Sequence, residues 1–220
     1  MNRKTFFRFI EKGTIQGACR YPEYWFVYQN VEKGDKVLEL GAGTSALAKS
    51  MKSKGCDVTI TEASKGCMLY QKTNEVKAVL VTDTKLEFED ASFDVVVSAS
   101  SIEHFDPDND KDIEAIKEAH RVLKPGGLFI VTIPVHKTYI KNRYAGHPIH
   151  PPEKVYDEAE YKKRFLGSFK EVKREYWKWS SKPTDEYVSH PSWVQRGDII
   201  STEPVGSFDE AHGLCAVLKK

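Results

Sequence analysis

The sequence predicts an α/β fold of the Rossmann-like, doubly wound kind: a seven-stranded, mostly parallel sheet closed by an antiparallel C-terminal strand. Three observations lead there. Short apolar runs rich in β-branched residues recur from Lys36 onward: KVLEL (36–40), DVTIT (57–61), KAVLV (77–81), FDVVVSA (93–99) and GLFIVTI (127–133). Continuous runs of this length are how strands buried on both faces of a parallel sheet read. Polar or glycine-bearing turns and helically spaced stretches separate them, as with Ile113, Ile116, Ala119, His120 and Leu123 before the fifth run. Finally, 220 residues with 40% hydrophobic and 30% charged side chains suffice for one full-sized core and exclude a disordered chain.

In chain order, a helix is expected at about 3–12 and another from Pro22 to Asn30, with proline in its first turn. The five runs above follow. Pro125, Gly126 and Gly127 end the helix of 110–123 and turn the chain into the fifth strand, because proline cannot continue a helix and glycine tolerates positive φ. Residues 135–153, rich in His, Pro and Tyr without periodicity, read as a loop over the sheet edge, and YDEAEYKKRFLG as a short helix ending at Gly167. Two further strands, FKEVKREYWKW (169–179) and HGLCAVLKK (212–220), flank 180–210, an insertion too long for an ordinary hairpin. A single domain is expected: a helical cap (1–30), a ligand-binding core (31–134), and a substrate-side loop, helix and strands (135–220).

Charge and cysteine content narrow the function classes. A net charge of +1, from 33 basic and 32 acidic residues, carries no general electrostatic footprint for nucleic acid. No stretch reaches the roughly 18 apolar residues of a membrane span, and the start of the chain lacks a signal-peptide pattern. Cys19, Cys56, Cys67 and Cys215 form no CxxC pair, which points to a reducing, cytoplasmic compartment. Oligomeric state is not legible in one sequence.

The informative stretch is VLELGAGTSALAKS, a buried strand running through Gly41-Ala42-Gly43 into a helix. Glycines there let a ligand approach backbone N–H groups at a helix N-terminus. Gly41, Gly43 and Ala46 satisfy the dinucleotide spacing G-x-G-x-x-G/A, and Glu62 stands 19 residues after Gly43, where a ribose-binding acid belongs. Two ligand classes therefore remain open. Charge separates them: Glu39, Glu62 and Asp83 gather carboxylates at the strand ends, where a pyrophosphate is repelled and a cationic nucleoside is held.

Residues 36–133 resemble the class I S-adenosylmethionine-dependent methyltransferases, especially the small-molecule group that includes the ubiquinone and menaquinone methyltransferases. The motifs that carry this are VLELGAGT, VTITEAS, VTDTKLEFEDASFDVVVSASSIEHF and EAHRVLKPGGLFIVTIP, in the family's order. Ser45 stands where the family's third glycine is usual. The resemblance implies S-adenosylmethionine as cofactor. It places Glu39, Gly41, Ala42 and Gly43 at its methionine end, Glu62 on the ribose hydroxyls with Ala63 beside the adenine, Asp83 and Thr84 on the adenine edge, and Ser98 near the methionine moiety.

Methyl transfer from a sulfonium is an in-line displacement, so alignment dominates, and a hydroxyl nucleophile also needs a base. His104, in SSIEHF after the fourth strand, is the candidate. His136, Tyr139, His147 and Trp193 are candidate contacts to a small-molecule substrate, with His150 as a further loop histidine. No metal is expected, since His147-x-x-His150 is uncommon spacing for structural zinc and no cysteine or carboxylate pattern joins it. Tyr21, Tyr24, Trp25 and Phe26 offer an aromatic lid over a sulfonium or, equally, a helix packed on the sheet. Trp177, Trp179, Tyr187 and Trp193 offer a stacking platform or core packing. The expected function is methyl transfer to a small hydroxylated acceptor such as a saccharide, glycolipid or natural product. The alternatives are an inactive binding protein of the same fold and an NAD-dependent oxidoreductase.

Overall fold

The structure, a computed structural model, describes residues 1–2, 5–6, 21–73, 75–147, 151–180 and 201–220, with backbone alone for Tyr21, Thr73, Trp179, Ser180, Ser201 and Thr202. The expected N-terminal helix falls largely outside them; Thr5 and Phe6 are helical, and Phe6 is buried. Strands β1 (Lys36–Leu40), β2 (Asp57–Glu62), β3 (Lys77–Leu80), β4 (Phe93–Ala99) and β5 (Leu123–Pro134) all run parallel. The order across the sheet is β3-β2-β1-β4-β5, continued by β10 (Gly213–Lys219), β8 (Lys170–Ser180) and β9 (Ser201–Val205), each antiparallel to its neighbour.

The sheet thus has eight strands among the described residues, one more than expected. The extra strand, β9, comes from the end of the 180–210 insertion and pairs with β8 from Tyr176↔Val205 to Ser180↔Ser201. Its sequence, STEPV, carries a proline, which marks edge strands and weakens the sequence signal. The 135–153 loop also holds structure: β6 (Ile140–Arg143) pairs with β7 (Glu153–Val155) as a separate ribbon. That ribbon has no apolar alternation, which is why it reads as loop.

Side-chain alternation along the strands sorts the core into two layers. Val37, Val95, Val97, Cys215 and Val217 face helices α1 (Tyr21–Asn30) and α2 (Leu47–Lys54), while α3 (Lys65–Thr73) packs against β2 and β3. Leu38, Val96, Leu214, Ala216 and Leu218 face α4 (Lys111–Val122) and α5 (Glu158–Phe165). The aromatic residues of α1 belong to the first layer. Tyr24 and Phe26 are buried, and Trp25 packs on Phe6 and Tyr28 with ring centroids 5.3 and 5.9 Å apart. They hold the helix to the sheet and form no lid; the Tyr21 side chain lies outside the described residues. Trp177 is core as well, lying so close over Gly213 that a Cβ there would stand 2.2 Å from its ring.

The Pro125-Gly126-Gly127 turn takes the form of a bulge. Phe93 pairs with Leu123 and Val95 with Leu128, so the four residues between lie out of register, with Gly126 at φ 78°. The short helix α5 is capped by Asp157, whose side chain accepts from the Glu160 N–H at 2.8 Å.

Candidate active site

Chain order reverses between β1 and β4, and ligands of open α/β sheets bind at the carboxyl ends of the strands beside such a switch. A cavity of about 640 Å³ lies there. Its walls come from Leu40 and Gly41 after β1, Glu62 and Ala63 after β2, and Asp83 and Thr84 after β3, and it is closed by Ser101, His104 and Phe105 after β4 and by Lys111 of α4. Of the residues expected at the nucleoside, Gly41, Glu62, Ala63, Asp83 and Thr84 are therefore brought together.

The glycine loop is built for close approach. Gly41 stands at φ 64° and Gly43 at φ 56°, and a Cβ on Gly41 would fall 2.0 Å from Ser101 Oγ. The Gly43 N–H donates to Glu62 Oε1 at 3.0 Å, joining loop and carboxylate. Buried beneath, Gln71 of α3 donates to the carbonyls of Gly43 (3.0 Å) and Ser45 (2.9 Å). Sequence reasoning missed Gln71: a lone glutamine on a helix carries no signal of what it braces. Ser45, at the absent third glycine, is buried and accepts from the Leu47 N–H at 3.3 Å, so the loop closes without a glycine there.

Glu39 is 1% exposed, and its Oε2 has no hydrogen-bond partner among the described residues. Burial, and then the neighbouring Glu62, push its carboxyl up to about 8. At neutral pH this group is therefore mostly protonated in the free protein, which reduces the expected trio of negative charges. Asp83 differs: it is exposed, and the Thr84 N–H (2.7 Å), followed by Lys111, holds its carboxyl below the usual range. Thr84 Oγ1 donates onward to Glu114 at 2.8 Å.

Other expected site residues stand elsewhere. Ser98 is fully buried and accepts from the Ile102 N–H at 3.1 Å, so it shapes the turn that carries His104 and does not line the cavity. His136, Tyr139 and His147 are not among the residues that line the cavity; this segment reaches it at Pro151 instead. His136 accepts from the Thr138 N–H, Tyr139 lies against the Arg164 guanidinium at 5.6 Å, and the His147 ring packs on Tyr144. His150, Tyr187 and Trp193, and the side chain of Trp179, lie outside the described residues.

His104 does line the cavity, on a 3-10 turn at Ile102–His104. Its Nδ1 is 2.8 Å from the Pro152 carbonyl oxygen, and its Nε2 is 3.6 Å from Glu153 Oε2. A carbonyl only accepts, so Nδ1 carries the hydrogen and the neutral ring presents its lone pair at Nε2. The nearby turns are strained, with Ser100 at φ 48°, Asp106 at φ 37° and Asp110 at φ 55°, as happens where a site dictates the backbone.

Residues 38–131 match the family model described as a methyltransferase domain. That segment is similar to the class I S-adenosylmethionine-dependent methyltransferases. Among curated relatives, demethylmenaquinone methyltransferase of Staphylococcus epidermidis is 36% identical over 110 residues, covering 46% of this chain and 44% of its own length. Sarcosine/dimethylglycine N-methyltransferase of Aphanothece halophytica is 34% identical over 116 residues, covering 49% of this chain and 40% of its own. The chain spans about half the length, or less, of the curated relatives it matches. The fold extends further: an S-adenosylmethionine-dependent methyltransferase of Mesorhizobium loti aligns with a TM-score of 0.66 at 14% identity, over 92% of this chain and 98% of that one.

The family implies S-adenosylmethionine as methyl donor, and the residues present fit it. Gly41 puts backbone without a side chain on the cavity wall, and Glu39 Oε2, which has no hydrogen-bond partner among the described residues, is the kind of buried acceptor that an ammonium group satisfies.

Proposed function

We propose that the protein transfers the methyl group of S-adenosylmethionine to a small hydroxylated acceptor, such as a saccharide, glycolipid or natural product. The observation that supports this most is the single cavity wall shared by the nucleoside residues Gly41, Glu62, Ala63, Asp83 and Thr84 and by His104, the group that can serve an acceptor hydroxyl. The donor supplies, when bound, a methyl group on a positively charged sulfur, so the acceptor oxygen's lone pair makes the new bond while the carbon–sulfur pair stays with sulfur. The chain's task is then to align the two reactants and exclude water, for which good positioning supplies about 7 to 11 kcal/mol. Glu39, Gly41, Ala42 and Gly43 hold the methionine end, Glu62 the ribose hydroxyls, and Asp83 and Thr84 the adenine edge. His104 Nε2, with Nδ1 anchored on Pro152, takes the hydroxyl proton.

Calorimetric titration of the pure protein with S-adenosylhomocysteine is expected to show one equivalent bound, and titration with NAD none. The reverse result returns the glycine loop to the dinucleotide class. Tight S-adenosylhomocysteine binding with no methyl incorporation across a broad acceptor panel favours the inactive binding protein instead.

The state of Glu39 gives this binding a pH dependence. The free protein holds a proton on Glu39 up to about pH 8, and an ammonium group arriving beside it favours the carboxylate, so binding releases that proton. Raising the pH from 6 to 8 therefore strengthens S-adenosylhomocysteine binding, by up to about tenfold per unit. Glu39→Gln flattens the dependence and weakens binding at pH 8. An affinity in the unmodified protein that is level across this range removes Glu39 from the methionine end.

A further inference from the structure

We propose that Glu103, His104 and Glu153 form a binding site for a divalent transition-metal cation beside the cavity, whose wall His104 shares. Glu103 and His104 lie on the turn after β4, and Glu153 opens β7, about fifty residues later. Each brings one ligand-capable atom to a common point, all within 4.8 Å of one another. Glu103 is 1% exposed, so its carboxylate is aimed inward and not into solvent.

The pairing of His104 with Glu153 is the second observation. Arg143 engages Oε1 of Glu153 through both Nε (2.6 Å) and a terminal guanidinium nitrogen, which leaves Oε2 as the oxygen facing the imidazole. With Nδ1 donating to Pro152, the neutral ring turns a lone pair toward that oxygen. In that tautomer of the neutral ring two acceptors face each other at 3.6 Å, too far apart to share a hydrogen bond. That separation suits two donor atoms on one ion: metal–nitrogen and metal–oxygen bonds of about 2.0 to 2.2 Å at a tetrahedral angle put their ends about 3.4 Å apart.

The supporting contacts are those metal sites use. A ligating histidine commonly donates its other ring N–H to a carbonyl, and ligating carboxylates are themselves hydrogen-bonded; Pro152 and Arg143 fill those roles. One imidazole with two carboxylates selects zinc, manganese or ferrous iron over magnesium and calcium, which prefer all-oxygen sets. Three protein ligands leave a coordination position open, and one of them, His104, lines the cavity. An acceptor hydroxyl that reached that position would be acidified by the cation and give its proton to solvent water, with His104 serving as ligand in place of proton acceptor. This last step rests on the function proposed above; cation binding itself does not.

The full chain, stripped with chelator, is titrated with zinc chloride and with manganese chloride by calorimetry, and with cobalt chloride by visible absorption. One equivalent is expected to bind, with cobalt bands of a site holding nitrogen and oxygen ligands. His104→Gln and Glu153→Gln should each weaken binding by at least about 100-fold, since losing a supporting contact alone costs 10 to 100-fold. Because Glu153→Gln also disturbs Arg143, His104→Gln, checked for an unchanged melting temperature, is the decisive variant. No stoichiometric binding, or binding undiminished in that variant, overturns the proposal and leaves the contact of His104 with Glu153 a structural one. S-adenosylhomocysteine binding to the stripped protein separates the two readings: if it persists without metal binding, the cation site alone fails, and if it is absent while metal binds, the methyltransferase reading fails.

Discussion

Asp112→Ala is expected to cost about 3 to 5 kcal/mol of stability, the largest loss from any single change at the polar groups described above. Asp112 is completely buried in the first turn of α4, where it meets the Lys154 ammonium at 2.5 Å, the Arg164 guanidinium at 3.1 Å and the Tyr156 hydroxyl at 3.0 Å. Lys154, from β7, has no exposed side-chain surface, and Arg164, from α5, has 5%. Removing the carboxylate leaves two cations in a low-dielectric interior. Asp110 and Glu160 keep part of the compensation, Asp110 at 3.0 Å from Lys154 and Glu160 at 2.6 Å from Arg164. Lys154 and then Arg164 already hold the Asp110 carboxyl down at about 2, so it is ionised and available. Urea denaturation followed by circular dichroism measures the loss; a change below about 1 kcal/mol would mean the remaining acids suffice. A double variant with Lys154→Met should recover part of the stability, because it removes the stranded charge along with its partner.

Gly41→Val is expected to abolish measurable donor binding while leaving the fold intact. Its Cβ would stand 2.0 Å from Ser101 Oγ and 3.1 Å from Ser101 Cβ, in a left-handed conformation that a β-branched residue rarely adopts. The loop must move, and the N–H groups and Glu62 proposed to hold the nucleoside move with it. At about 1.5 to 3 kcal/mol for each charge-assisted bond lost, affinity for S-adenosylhomocysteine falls by on the order of 100-fold or more. Adding Ser101→Gly to this variant tests the mechanism: it relieves the collision but not the backbone strain, so partial recovery is expected. Calorimetry on both proteins decides, and unimpaired binding by Gly41→Val would show that the ligand does not approach this backbone.

The cavity at the strand ends was legible because its lining is local. Gly41, Glu62, Ala63, Asp83 and Thr84 follow buried strands that announce themselves as apolar runs, and parallel pairing brings successive strand ends to one edge. Ser98, expected near the methionine moiety, lies near the end of its strand, and its hydroxyl accepts from the Ile102 N–H in the turn after β4. The aromatic residues of α1 and Trp177 had two readings of similar weight, and only packing chose between them. His136, Tyr139 and His147 were expected over the site because 135–153 lacks periodicity; the residues of that segment that meet the cavity or His104 are Pro151, Pro152 and Glu153.

What the sequence determined alone is the parallel sheet, its glycine loop and the acids at its edge, because hydrophobic period and backbone permissiveness are properties of a few adjacent residues. The tertiary structure decided the protonation of Glu39, the bracing by Gln71, the place of β9, and the meeting of His104 with Glu153. Each of these depends on how much water a side chain loses, or on which distant segment the crossovers lay beside it. Desolvation and long-range proximity are set by the folded whole and leave no periodic mark along the chain.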